Sequence, residues 1–235
     1  MQDRARATRR SLLEAAAHLF VEQGYARTSI NEISDLSGRT SGAVYFHYSS
    51  KEKLALAVVR EQFAAWPSLA DRYAAPGIPP LEKLVALSFD IAKALRDDVM
   101  TRAGARLWAE RRTIDVAIPT PFAVWAAAVT RLLAEARAEG ELADEVQPSG
   151  IATTLVCAFF GLYDLTEEMA DREELSDRLH QWWLLVLKAL QARPEPAALV
   201  ARALAYHQPA PTGNHSRRPG SSGYREGRAM TRFSP

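Results

Sequence analysis

The stretch Thr28 to Leu54, TSINEISDLSGRTSGAVYFHYSSKEKL, constrains this chain more than any other. Its side chains dictate where helices start and stop. Ser29 can cap a first helix while Glu32, three residues on, reaches back to the cap's own N–H, the reciprocal capping box. Ile30, Ile33 and Leu36 then give that helix an apolar face. Gly38 follows, where a sharp turn needs positive φ. Thr40 can cap a second helix, Ser41 to Tyr48, whose residues are small, hydroxylated or aromatic, unlike a helix meant only for burial. Ser49 and Glu52 form a second capping box, from which a third, longer helix starts with Lys51 and Lys53 in its first turn.

Helix, glycine turn and short polar helix make a helix-turn-helix. Thr28, Ile33, Gly38, Thr40, Gly42, Tyr45, His47, Tyr48 and Ser50-Lys51-Glu52 with Leu54 stand at a spacing that resembles the DNA-binding domain of the TetR family. The resemblance implies a DNA-facing set of Arg39, Thr40, Ser41, Gly42, Ala43, Tyr45, His47, Tyr48 and Lys51. Gly42 leaves room for the duplex, and Thr40 and Ser41 turn hydroxyls and free helix N–H groups toward phosphate. Tyr45, His47, Tyr48 and Lys51 resemble the family's phosphate contacts, which position a head without reading bases. Two positions depart from the pattern. Arg39 replaces a small aliphatic plug, and Ser41 replaces a common lysine, which lowers the salt slope of binding by roughly one unit. Arg39 either restores that charge, reaches a guanine edge or lies idle on the surface.

The formal net charge of +1 conceals an uneven distribution. Residues 1–53 carry +2, residues 54–207 carry −5 and residues 208–235 carry +4, so basic ends flank an acidic body. A chain of 235 residues, 48% of them hydrophobic, can bury a sizeable core. A single cysteine, Cys157, excludes an intramolecular disulfide framework and suits a reducing cytoplasm. No uninterrupted apolar stretch of membrane-spanning length and no leader pattern stands out, so no membrane partner is expected. The five histidines are scattered, without metal-ligand spacing, and no nucleophile elbow or phosphate loop occurs, so no metal, cofactor or enzyme chemistry is expected. Asp97-Asp98 and Glu167-Glu168 sit near helix ends as solvated charge, and His18 lies on a polar face.

Read in order, the fold class is all-α. A first helix spans Arg4 to Gln23, with Leu12, Ala15, Ala16, Leu19 and Phe20 on one face, and Gly24 ends it so that Tyr25 folds back onto its last turn. Arg4, Arg6, Arg9 and Arg10 crowd its N-terminus, which the helix dipole disfavours unless phosphate lies nearby. Leu54 to Tyr73 reads as a connecting lever that Pro67 either kinks or divides. Helices follow over Leu81–Arg96, Asp98–Arg112, Phe122–Glu139, Ser149–Met169, Glu174–Ala192 and Ala197–His207. The division expected is a DNA-binding head at 1–53, a ligand-binding and dimerisation body at 54–207 and a disordered basic tail at 208–235.

Thr154, Cys157, Ala158 and Gly161 form a stripe of small residues at three- and four-residue spacing. With Trp182 and Val186 on the following helix, two copies of this pair can build a four-helix homodimer interface, which resembles how TetR-family dimers form. Aromatic residues gather on several body helices, among them Phe159, Phe160, Trp182 and Trp183. Either they are core or they line a cavity between helices. The runs Arg102-Ala103-Gly104-Ala105-Arg106-Leu107 and Pro121-Phe122-Ala123-Val124-Trp125 resemble the γ-butyrolactone receptors and their butenolide and furan relatives, a branch of the TetR family. That resemblance places Trp125 against a signalling lactone, within a candidate set of Phe63, Phe89, Trp108, Phe122, Trp125, Thr154, Phe159 and Tyr163, with Thr154 or Tyr163 as the orienting hydrogen bond. It implies a homodimeric repressor of a palindromic operator on double-stranded DNA, released by a small hydrophobic ligand. The alternative is a repressor for a drug or antibiotic, although few acids stand on the body's apolar faces to hold a cationic drug.

Overall fold

The computed structural model describes residues 2–73, 76–120, 122–169 and 174–207. The tail expected to be disordered and Pro121 lie outside them. The described residues form ten α-helices, with no strand among them: α1 Gln2–Arg27, α2 Ile30–Ser37, α3 Ser41–Tyr48, α4 Lys51–Asp71, α5 Pro80–Asp97, α6 Val99–Ala109, α7 Phe122–Ala138, α8 Pro148–Glu168, α9 Glu174–Leu190 and α10 Pro196–Ala205.

Two hydrophobic cores organise the bundle. The first joins Leu12, Ala16 and Phe20 of α1 to Ile33, Val44 and the first half of α4, Leu54 to Val59, and also takes Ala103 and Leu107 from α6. Residues 54–59, expected with the body, thus pack in the head. The second core gathers α5, α7, α8, α9 and α10 around Leu133, Leu179, Trp183 and Leu187. α4 runs through Pro67 as one element, with Trp66 packed on the second core, so the lever joins both cores undivided.

Short-range chemistry sets the ends of the head helices. Ser29 and Glu32 make both bonds of their capping box, and Gly38 adopts φ 64°, ψ 30° behind α2. Thr40 Oγ1 accepts from Ala43 N–H at 3.2 Å, which starts α3. The second expected box is not made. Ser49 instead closes α3 at φ 66°, and Ser50, whose Oγ accepts from Lys53 N–H at 3.3 Å, caps α4. A non-glycine residue at that φ is strained. Ser49→Gly is therefore expected to raise the unfolding free energy by about 1 kcal/mol, read from urea melts.

Leu36 also departs from its expected place and stands exposed. Ile30, Ile33 and Ser34 centre the buried face of α2, and a further three residues at ~100° each carry Leu36 past its edge. α10 is held to α5 by two buried carboxylates. Glu82 takes Arg202 and Tyr206, while Asp90 takes Arg72 at 2.9 Å, the Tyr73 hydroxyl at 2.7 Å and His207 at 3.0 Å.

Candidate nucleic-acid interface and ligand cavity

The exposed side of α3 is presented by a rigid neighbour. Ser41 Oγ reaches Asn31 Oδ1 at 3.0 Å and Ser34 Oγ at 3.1 Å, so this hydroxyl ties α3 to α2 rather than standing free for phosphate. Gly42 is open. A Cβ built there meets nothing closer than Thr40 Oγ1 at 3.8 Å. Arg39 and Tyr45 are exposed, Ala43 packs partly against the head core, and Phe46 is 83% exposed with its ring edge-on to His47. Phe46 was not singled out from sequence, although an aromatic on a short helix that buries Val44 and Tyr48 has only the outer face left.

Two residues of the expected DNA set turn inward. Tyr48 is buried and donates to the Arg9 carbonyl at 2.8 Å, with its hydroxyl pushed up to about 12 mainly by burial. Lys51 Nζ donates to the carbonyls of Tyr25 and Thr28, each at 2.9 Å, and lies 4.2 Å over the Tyr25 ring. Its charge therefore caps the carbonyl end of α1. Cations do stand nearby, where Arg9, Lys53 and Arg60, together with His47 and Glu61, line a groove of about 370 Å3 beside the end of α3.

The Lys51–Tyr25 clamp has a titratable partner in Glu52, whose Oε1 accepts the Tyr25 hydroxyl at 2.8 Å. Hydrogen bonds, from Ser50 first and then from its own amide and Tyr25, hold the Glu52 carboxyl below the ordinary value of 4.5. A carboxylate depressed on folding contributes stability that is present above about pH 4.5 and lost as pH falls through its folded value. Melting followed from pH 7 to pH 3 is expected to show a shallower acid loss in Glu52→Gln than in wild type. The same slope in both would remove Glu52 from the acid transition.

In the body, α5, α7, α8 and α9 line a partly open apolar cavity of about 50 Å3. Leu84, Leu87, Ser88 and Ile91 of α5, Trp125 and Val129 of α7, Val156, Phe159 and Phe160 of α8, and Trp182 and Trp183 of α9 form its wall. Among the polar side-chain groups there, the Trp183 indole N–H donates to Ser88 Oγ at 2.8 Å, and Ser88 donates in turn to the Val85 carbonyl. Small-molecule sites span roughly 300–1,000 Å3, so a site of that size would require these walls to part.

Of the expected ligand set, Trp125 and Phe159 line the cavity. Phe89 does not, because Leu84, Leu87, Ser88 and Ile91 share the cavity face of α5 and one further residue rotates Phe89 toward His207. Thr154 is exposed, on the far side of α8 from Leu155 and Val156, and Tyr163 is buried in the body core beyond the wall. Phe63 packs on the head core. Trp108 and Phe122 lie behind the wall in a ring contact of 4.6 Å, and Phe122 meets Phe160 at 4.9 Å. Of the expected dimer set, Trp182 faces the cavity, and Ala158 and Val186 are half-buried. Cys157 and Gly161 are exposed, and with Thr154 and Leu165 they mark an outward face of α8. By length and composition Pro148–Thr166 is apolar enough to cross a membrane, but its Leu155, Val156 and Phe159 pack in the body core.

A three-helix head with an open Gly42, joined by one continuous helix to a bundle with an apolar cavity, defines a helix-turn-helix regulator with a helical body. The chain belongs to the TetR family: residues 12–58 match the model of the bacterial regulatory proteins of that family, and residues 78–192 match the tetracyclin repressor-like C-terminal domain. It is 33% identical over 189 residues to the A-factor receptor protein of Streptomyces griseus, a match covering 80% of this chain and 66% of that protein. It is 38% identical to a structure described as the molecular basis for control of antibiotic production by bacterial hormones, with TM-score 0.74, covering 79% of this chain and 98% of that one. A γ-butyrolactone receptor described as ArpA-like is 30% identical with TM-score 0.72, covering 86% and 98%. The resemblance to the γ-butyrolactone receptor branch is thereby borne out, as is the reading of a regulator rather than an enzyme.

Proposed function

We propose that the protein is a homodimeric transcriptional repressor that binds a palindromic DNA operator and is released by a neutral, γ-butyrolactone-like (butenolide or furan) ligand. One observation carries the ligand response. Trp125 walls the cavity on one side and meets Trp66 of α4 on the other, with ring centroids 3.8 Å apart. Any ligand that parts the α7 and α9 walls displaces Trp125, and with it the helix whose first half lies in the head core. Release requires that the ligand prefer the displaced arrangement, and a hundredfold preference per site corresponds to about 2.7 kcal/mol.

The operator lies along α3, with Gly42 admitting the duplex and Arg39, Tyr45 and Phe46 beside it. Arg9, Lys53 and Arg60 attract the flanking phosphates in place of Tyr48 and Lys51. The exposed face of Thr154, Cys157, Gly161 and Leu165 on α8, with the exposed Leu185 on α9, packs against its copy in the dimer. A wall without charged side chains favours a neutral ligand over a cationic drug.

The test is a gel shift on DNA from the protein's own upstream region, with and without 2-hexyl-γ-butyrolactone. A salt-sensitive shift abolished by the lactone supports the reading. A shift that the lactone leaves intact assigns the body to another ligand class, and no shift at low salt sinks the DNA-binding role of this head.

A further inference from the structure

We propose that α10 is a strap that keeps α5 from yielding, and that it thereby limits the size of ligand the body accepts. The proposal rests on the ligand-binding reading above. α5 has two working faces. Leu84, Leu87, Ser88 and Ile91 look into the cavity. Glu82, Ala86 and Asp90, spaced four residues apart, form a stripe that a turn of ~100° per residue sets on the opposite side. A single helix thickness, roughly 10 Å, therefore separates the cavity from whatever seats on that stripe.

α10 seats there. Leu199, Val200 and Ala203 bury its apolar face in the body core. Apolar faces alone can slide, whereas charge-assisted hydrogen bonds fix a register. Glu82 and Asp90 are 3% and 4% exposed, so neither carboxylate has water to turn to. Glu82 takes Arg202 and the Tyr206 hydroxyl, the latter at 3.1 Å, and Asp90 Oδ1 takes His207 Nε2 at 3.0 Å. Arg72 and Tyr73, just beyond α4, close the rest of Asp90. Any outward movement of α5 must break these contacts or carry α10 with it. The end of α10 is the part that can open. Arg202 and Arg72 remain half exposed, so each can exchange its carboxylate for solvent. His207 Nδ1 is buried without a partner among the described residues and meets water only when the end of α10 lifts. A cavity of about 50 Å3 reaches the size of a small-molecule site only by growing several-fold. With α5 strapped, that growth falls on the other walls and long side chains are refused. With the strap lifted, α5 yields and bulkier ligands enter.

The experiment loosens the strap in two ways. Glu82→Gln combined with Asp90→Asn keeps side-chain shape and leaves no buried carboxylate unpaired, while Arg202→Gln acts from α10 and spares Asp90. Should the double variant fail to fold, Arg202→Gln carries the test by itself. Hydrogen exchange over residues 196–205 reports the strap. Tryptophan fluorescence gives the affinities for 2-hexyl- and 2-decyl-γ-butyrolactone, and N-phenyl-1-naphthylamine, a neutral apolar fluorophore, reports access to the cavity without any lactone. Wild type is expected to bind the hexyl lactone roughly tenfold or more tighter than the decyl lactone. In the variants, exchange over 196–205 speeds up, the preference shrinks to about threefold or less through a gain for the decyl lactone, and the fluorophore binds roughly fivefold tighter. A purely structural role would lower the melting temperature and leave the preference as in wild type. Faster exchange with wild-type preference and fluorophore affinity overturns the strap, as does a wild type that binds the two lactones equally. If neither lactone binds wild type while the fluorophore gains its roughly fivefold in the variants, the ligand reading fails and the strap stands.

Discussion

Trp125→Ala is expected to weaken binding of the lactone by roughly 30- to 150-fold, about 2–3 kcal/mol, while operator affinity stays within about threefold of wild type. Two features set this magnitude. The indole is a wall of an apolar cavity, so its removal forfeits apolar contact area and an edge-on aromatic partner. It is also the group against which Trp66 of α4 rests, so the variant should lose response beyond what weaker binding explains: at saturating lactone, a substantial fraction of operator stays bound. Fluorescence titration gives the affinity and gel shift at saturation gives the response. Wild-type lactone affinity in Trp125→Ala would remove the tryptophan from the site. Wild-type release at saturation would leave it as a wall only.

Gly42→Leu is expected to separate stability from function in the other direction. Gly42 lies in the first turn of α3, where glycine weakens a helix by roughly 0.5–1 kcal/mol, and nothing within van der Waals distance except Thr40 meets a Cβ there. The head should therefore melt at the same temperature or higher. Operator affinity should fall at least a hundredfold, about 2.7 kcal/mol, because the new side chain projects from the face that approaches the duplex. A parallel loss of melting temperature would show that Gly42 serves the fold. Unchanged affinity would move the interface away from α3.

What was legible in the sequence is what neighbours along the chain decide among themselves. Ser29 and Glu32 are three residues apart and make both bonds of their box, Gly38 takes the positive φ that follows α2, and Thr40 starts α3. The helices of the body fall close to where apolar periodicity and breakers put them, because these signals act within one or two turns. The cap of α4 was misplaced by one residue, since Ser49 and Ser50 are chemically equivalent and only the exit angle of α3 chooses between them.

The direction a side chain faces was harder to read, because each residue turns a helix by ~100° and the packing partner alone sets the zero of that rotation. Tyr48 and Lys51 look like phenol and cation for phosphate, yet the carbonyls of Arg9 and Tyr25 in α1 and of Thr28 just beyond it, each more than twenty residues away, take both. Trp182, expected in the dimer seam, lines the cavity, and Thr154, expected both in the small-residue stripe and in the ligand set, faces outward, for the same reason. Nothing local marks Glu110 as the acceptor for Tyr25, 85 positions earlier. By itself the sequence determined the helices, their caps and the head they compose, through contacts within a turn or two. Only the tertiary structure decided which faces meet and where the cavity forms, because those depend on partners distant along the chain.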